Sequence, residues 1–164
     1  PHKRILTLWR MQEKQGQAFV IATANDPSSL PPEFLRRGRF DELWFVDLPT
    51  FEERQDVLRA ALAAHGRTNT GATINPSAIA AATKDFTGAE IAALVPDALY
   101  AAFADGGRPI TTDDLIEAAK VIVPLSTTAK EKVDALREWA KGRARPAGRT
   151  EIAAPANKGR VLDL

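Results

Sequence analysis

Asn25 closes the apolar run Phe19-Val-Ile-Ala-Thr-Ala-Asn25-Asp-Pro, and Arg36, Arg37 and Arg39 cluster around a glycine in Leu35-Arg36-Arg37-Gly38-Arg39-Phe40-Asp41. An amide at the carboxyl end of a buried parallel strand sits where open α/β sheets place their ligands. It can donate to a phosphate oxygen and accept from an attacking water, and phosphoryl transfer depends mainly on positioning and charge stabilisation. Guanidiniums spaced around Gly38 can form planar forks that reach across an interface to phosphates. Each motif also has a plainer reading. Asn before Asp-Pro is an ordinary turn former, and a run of arginines is an ordinary solvated face.

The rest of a phosphate site does not accompany them. No glycine in the chain is followed by lysine, so a loop of the form G-x-x-x-x-G-K-[ST] is absent. Leu43-Trp-Phe-Val-Asp47 looks like an apolar strand ending in a metal-binding aspartate. However, Leu48 stands where a catalytic carboxylate would follow, and the strand comes after Asn25 in the chain. Asp47 therefore reads as the end of a core strand. His2 and His65 are the only histidines and lack ligand spacing, so they read as surface residues and no metal site is expected. Trp9, Trp44 and Trp139 read as packing groups rather than stacking platforms.

The elements that would position Asn25 and the arginines come in two textures. His2 to Gln15 has apolar residues near helical spacing and reads as an amphipathic helix ended by Gly16. Ala18 to Ala22 and Leu43 to Leu48 read as buried strands, with Asn25-Asp-Pro-Ser-Ser a turn and Pro32 opening a short helix through Leu35. From Thr50 the pattern is helical. Thr50-Phe-Glu-Glu53 is a capping box ahead of a helix ending near Gly66. Residues 66 to 73 form a loop, and Pro76 opens a short alanine-rich helix. Thr87-Gly-Ala-Glu90 caps a third, with Ile91, Leu94, Val95, Leu99 and Phe103 inward and Pro96 expected to kink it or displace its start. Thr112 to Val123 follows, with Leu115, Ile116, Ala119 and Ile122 on one face. Thr128-Ala-Lys-Glu131 reads as the cap of a last helix carrying Val133, Leu136, Arg137 and Trp139. Beyond Gly142 the Arg-, Pro- and Ala-rich composition suggests disorder.

Composition bounds the answer loosely. The 164 residues are 45% hydrophobic, enough for one core or two small ones, and 22 Lys and Arg against 21 Asp and Glu leave a net charge of +1. Bulk charge therefore points neither toward nor away from nucleic acid. The chain has no cysteine, which removes disulfides and cysteine-based metal or redox chemistry and fits a cytoplasmic protein. No apolar run approaches the roughly 20 residues that span a bilayer. The start at Pro1, already within a helical pattern, suggests a truncated beginning.

Together and in order, the motifs resemble the AAA family of P-loop ATPases. In that family a strand ending Ala-Thr-Asn leads into Leu-Arg-Pro-Gly-Arg-Phe-Asp. The resemblance continues through Leu48-Pro-Thr-Phe-Glu-Glu-Arg-Gln-Asp-Val-Leu58 and reappears at Phe86-Thr-Gly88-Ala89-Glu90-Ile91, similar to the family's Phe-Ser-Gly-Ala-Asp-Leu. It covers about residues 17 to 122. The stretch Leu-Pro-Pro-Glu-Phe-Leu-Arg36 and the later Leu136-Arg-Glu-Trp-Ala140 are similar to the stand-alone AAA proteins of plastids and cyanobacteria.

The resemblance implies an α/β fold class. Residues 1–49 would be the C-terminal end of a P-loop AAA core, holding two non-adjacent strands plus helices; residues 50–142 would be an all-α lid, and 143–164 a disordered basic tail. It implies that Asn25 is the sensor-1 residue and that Arg36 and Arg39 are arginine fingers acting on the next subunit's ATP. Arg37 falls where the family has a non-finger residue. Gly88 and Ala89 would lie against the adenosine of the chain's own nucleotide; helix-start sterics beside the Thr87 cap are the plainer account of the same residues. The whole protein would bind ATP and Mg²⁺ and hydrolyse ATP in a homo-oligomeric ring, expected to be a hexamer, while remodelling a protein substrate. This chain alone would not be active and would bind neither tightly.

Two other readings are an assembly or binding module that has lost catalysis, and a nucleic-acid adaptor working through the basic tail. Because the two expected strands flank the phosphate-loop strand in the family's sheet, they would lack their partner here. Irregular pairing, or pairing through another chain, is the expectation.

Overall fold

The computed structural model of the chain describes residues 21–27, 30, 40, 42–67 and 74–148. The chain forms two compact units, Pro1–Phe40 and Asp41–Leu164. In the first, the expected helix over 2–15, the start of the 18–22 strand and the short helix after Pro32 lie outside the described residues. Ile21 and Ala22 are exposed and in no strand, Ile21 at 79%. That contradicts a buried strand at this point. An apolar segment becomes a strand only where neighbours take up its N–H and C=O groups, and none does so among the described residues.

The second unit is organised by helix caps. Thr50 Oγ1 accepts from the Glu53 N–H at 3.3 Å and Glu53 Oε2 accepts from the Thr50 N–H at 2.9 Å, so helix α1 (Phe51–Ala64) starts at the expected capping box. It ends at His65 and Gly66. Gly66 takes φ +70°, a left-handed conformation that only glycine adopts without strain, while the Arg67 N–H reaches back to the Leu62 carbonyl at 2.8 Å. Helix α2 (Pro76–Ala82) has Pro76 in its first turn, and the Asn75 side chain accepts from the Ser77 and Ala78 N–H groups.

Helix α3 (Gly88–Ala104) starts at the Thr87–Glu90 box and runs unbroken through Pro96, so the proline does not displace its start. Helix α4 (Thr112–Val121) has a box of its own, Thr111 with Asp114. Side chains of α1 to α4 and the intervening loops close the core: Leu58, Leu62, Ile79, Phe86, Ile91, Leu94, Val95, Ile110 and Leu115 are all buried. The one buried polar side chain among the described residues, Thr83, donates its hydroxyl to the Ile79 carbonyl at 2.8 Å, so its burial costs little. Arg54 fastens α1 to α2 by donating to the carbonyls of Ala80 and Pro49, each at 2.9 Å.

Several expectations for this unit fail. Phe103 is 77% exposed, as is Tyr100 at 78%. The inward face of α3 is Ile91, Leu94, Val95, Ala98 and Ala102, and Phe103 is turned about 100° from Ala102. Thr128 caps nothing: it is the last residue of a short helix α5 (Leu125–Thr128), and its hydroxyl donates back to the Leu125 carbonyl at 3.3 Å. Helix α6 (Lys130–Ala140) begins instead at Ala129, without a side-chain cap.

Residues 143–148 are also not disordered. Arg145–Pro146 form β2, paired in parallel with β1 (Trp44–Phe45) in a two-stranded sheet, and the Arg145 and Ala147 N–H groups donate to the Leu43 and Phe45 carbonyls at 2.9 and 2.8 Å. The expected 43–48 strand is thus shortened to two residues and is not buried, with Trp44 54% and Val46 79% exposed. Its partner comes from the tail of the same chain. Residues 149–164 lie outside the described set. With helices beside a parallel sheet, the unit is α/β in class.

Candidate functional site

Of the five candidate site residues, three can be placed. Asn25 is exposed at a bend in the first unit, and the turn continues as the Leu30 N–H donates to the Pro27 carbonyl at 3.2 Å. Arg36 and Arg39 lie outside the described residues. Gly88 and Ala89 open α3 in the second unit, Gly88 half-buried and Ala89 exposed.

The start of α3 is rigidly built. Glu90 Oε2 accepts from the Thr87 N–H at 2.6 Å and from its hydroxyl at 2.8 Å; Glu90 Oε1 accepts from the Leu125 N–H at 2.7 Å. Burial by itself would raise the Glu90 pKa. The Thr87 N–H, then the Leu125 N–H and the Thr87 hydroxyl, outweigh it and hold the carboxyl below its usual value. Gly88 packs toward Val57 of α1, where an added Cβ would meet the two Val57 methyls at 3.9 and 4.0 Å, an ordinary van der Waals distance. The fold therefore does not demand glycine at position 88. The first turn of α3 thus presents two small residues, with Ala89 open to solvent.

Asp47 and His65 each have a partner within the protein. Asp47 accepts from the Arg137 Nε at 3.0 Å and from the Leu48 N–H at 2.7 Å, and its Oδ1 lies 2.9 Å from Arg137 Nη2. His65 is exposed, and its Nδ1 lies 2.9 Å from the Ala61 carbonyl. Among the described residues, no group of three or more His, Asp or Glu could hold a metal, and no helix is long and apolar enough to cross a membrane. Trp139 packs half-buried with the Arg143 guanidinium 6.0 Å from its ring centroid. Lys141 and Arg145 pair with Glu138 and Glu42, so this part of the basic tail is engaged internally.

Sequence reading overlooked one heavily bonded acid of the unit, Asp114. Asp114 accepts from Arg108 Nη1 and Nη2 at 2.7 and 2.8 Å and from the Thr111 N–H at 2.8 Å, while Arg108 Nε bonds Asp105 at 2.7 Å. Arg108 above all, with Thr111 assisting against burial, holds the Asp114 carboxyl well below the usual carboxylate range. The signal was the spacing Thr111-Thr-Asp-Asp114, a capping box with Asp in place of Glu. Arg108 thereby locks the loop between α3 and α4, which is a structural role.

Comparison with known proteins agrees with this architecture. Residues 73–117 match the AAA+ lid domain, a span that includes Gly88 and Ala89. The uncharacterized AAA domain-containing proteins ycf46 of Guillardia theta and Pyropia yezoensis are 38% and 39% identical to the chain over 130 and 141 residues. These alignments cover 79% and 85% of this chain but 25% and 28% of the relatives. The proteasome-activating nucleotidase of Sulfurisphaera tokodaii is 36% identical over 111 residues, 68% of this chain and 28% of that protein. The chain therefore spans about a quarter of the length of these relatives. The lid match, the capping box that sets Gly88 and Ala89 at the head of α3, and relatives that align over most of the chain lead to one assignment: the chain belongs to the AAA family, as a C-terminal portion that carries the family's lid.

Proposed function

We propose that this chain is the trailing part of an oligomeric AAA ATPase, and that in the whole protein it supplies three elements of an ATP site shared between subunits. Gly88 and Ala89 meet the adenosine of the subunit's own ATP. Asn25 orients the attacking water beside the terminal phosphate. Arg36 and Arg39 reach the ATP of the neighbouring subunit and stabilise the charge that develops as the phosphoryl group leaves. The observation that carries the reading is the first turn of α3, where a doubly anchored capping box holds two small residues at the surface within the matched lid.

In this reading Gly88 and Ala89 meet only the nucleoside end of ATP. The phosphate cradle and the ligands for Mg²⁺, which would neutralise phosphate charge in the whole protein, would come from elsewhere in it. The proposal includes a homo-oligomeric ring, with a hexamer as the expected form, a protein substrate for remodelling and a cytoplasmic location. Support for nucleotide use comes from the name of one relative, a proteasome-activating nucleotidase.

The test compares two preparations. The isolated chain should show no Mg²⁺-dependent ATP turnover, since it holds no phosphate loop. In the full-length protein, Arg36→Ala and Arg39→Ala should each lower hydrolysis by about 10³-fold or more, the size of arginine-finger losses, and leave nucleotide binding intact. Asn25→Ala should lower turnover while ATP still binds. Gly88→Ala should weaken binding with little effect on folding. Wild-type turnover in both arginine variants would refute the assignment.

A further inference from the structure

We propose that residues 125–148 are a detachable strap that ties the N-terminal ends of α1 and α3 to residues 42–47. At one end, the Leu125 N–H donates to Glu90, the capping acid of α3, and the Ser126 hydroxyl donates to the Asp85 carbonyl at 2.6 Å. Asp85 holds φ +67°, a left-handed conformation that a non-glycine residue keeps only when its surroundings enforce it. In the middle, Arg137 of α6 pairs with Asp47. At the far end β2 pairs with β1, and Arg145 lies 3.3 Å from Glu42. Gly148 then passes so close to Glu53, the capping acid of α1, that a Cβ there would come within 2.8 Å of its Oε1. The strap thus touches the acid of both long capping boxes.

The strap can detach because the core does not need it. The buried cluster is built from residues 58 to 119, and only Ala140 is a buried apolar residue within the described strap. Val133, Leu136 and Trp139 are half-buried. Its other attachments are hydrogen bonds and partly exposed ion pairs, the class of interaction that opens locally without global unfolding. Docked, the strap fixes both α3's first turn and the segment that follows Phe40. Undocked, it releases both together. The inference does not depend on ATP meeting Gly88 and Ala89.

Amide hydrogen exchange by NMR on the full chain tests it. Arg137→Gln removes the central ion pair, and Gly148→Val forces a side chain against Glu53, which the Thr50 N–H already holds in place. In both variants the Leu125, Arg145 and Ala147 amides should exchange about three- to fivefold faster, the effect of losing one partly exposed ion pair. The Leu58, Leu94 and Leu115 amides should stay within about twofold of the wild type. Ser126→Ala, which removes only the bond to Asp85, should speed the Leu125 amide in the same way if either of the other variants fails to fold. Unchanged strap amides across these variants would overturn the proposal. So would core amides that accelerate in step with the strap, because the strap would then be part of the cooperative unit.

Discussion

Glu90→Ala is the most informative single change in this chain, because one carboxylate serves three donors on two elements. In the wild type it closes the Thr87 box with bonds of 2.6 and 2.8 Å and reaches Leu125 at 2.7 Å. Loss of an N-terminal cap of this kind costs about 1 kcal/mol. Loss of the second, tertiary bond costs about 1 kcal/mol more, since the Leu125 N–H is exposed and water takes up part of the deficit. The sum, about 2 kcal/mol, corresponds to a fall of roughly 10 °C in Tm for a unit of this size. Glu90→Gln keeps an acceptor and should lose about half as much.

Circular dichroism of the isolated chain during urea or thermal unfolding measures the change. The sign of the pH dependence follows from the depressed folded-state pKa. The stabilisation is present above the unfolded-chain value of about 4.3 and is lost as pH falls through the lower folded value. Glu90→Ala should therefore lose less stability than the wild type between about pH 5 and pH 3. A double-mutant cycle with Thr87→Ala should show strong non-additivity, because both changes dismantle one box. Equal acid sensitivity of Glu90→Ala and wild type, or fully additive losses, would refute the reasoning.

Two further outcomes follow from burial and charge. Leu94→Ala, at a position with 0% exposure, should cost about 2–5 kcal/mol in urea unfolding, whereas Phe103→Ala, at 77% exposure, should stay within about 0.5 kcal/mol. Asp114→Asn should cost about 1 kcal/mol at pH 7, comparable to a lost cap. Because its folded-state pKa lies well below the usual range, the Asp114 contribution is complete above the unfolded-chain value of about 3.9 and drains away below it. The variant's stability should therefore change less than that of the wild type from pH 5 downward.

The helical lid was legible because its signals are local. Thr50 with Glu53 and Thr87 with Glu90 state where helices begin, since a hydroxyl and a carboxylate three residues apart satisfy each other's free N–H groups wherever they occur. The periodicity of Ile91, Leu94, Val95 and Ala98 states which face of α3 is buried. Local logic fails where a residue has two local options. Thr128 sits three residues before Glu131 but ends α5, and Phe103 follows an apolar stripe that Ala102 had already completed.

The strands were misread for a different reason. An apolar, β-branched segment states a preference for burial but not the identity of its partner. Ile21 is left exposed, while Trp44 and Phe45 pair with Arg145 and Pro146, about a hundred residues away, in a tail whose composition suggests disorder. The site divides along the same line. Gly88 and Ala89 could be placed from the sequence because the capping box beside them fixes the helix start. The reach of Glu90 to Leu125, the Arg137–Asp47 pair and the approach of Gly148 to Glu53 could not. By itself the sequence determined most of the helix starts, most of their buried faces and the family, through signals that depend on residues within a few positions of one another. Only the tertiary structure decided what pairs with the orphaned strand and what braces the first turn of α3, because those contacts join groups far apart in the chain and no local pattern encodes their meeting.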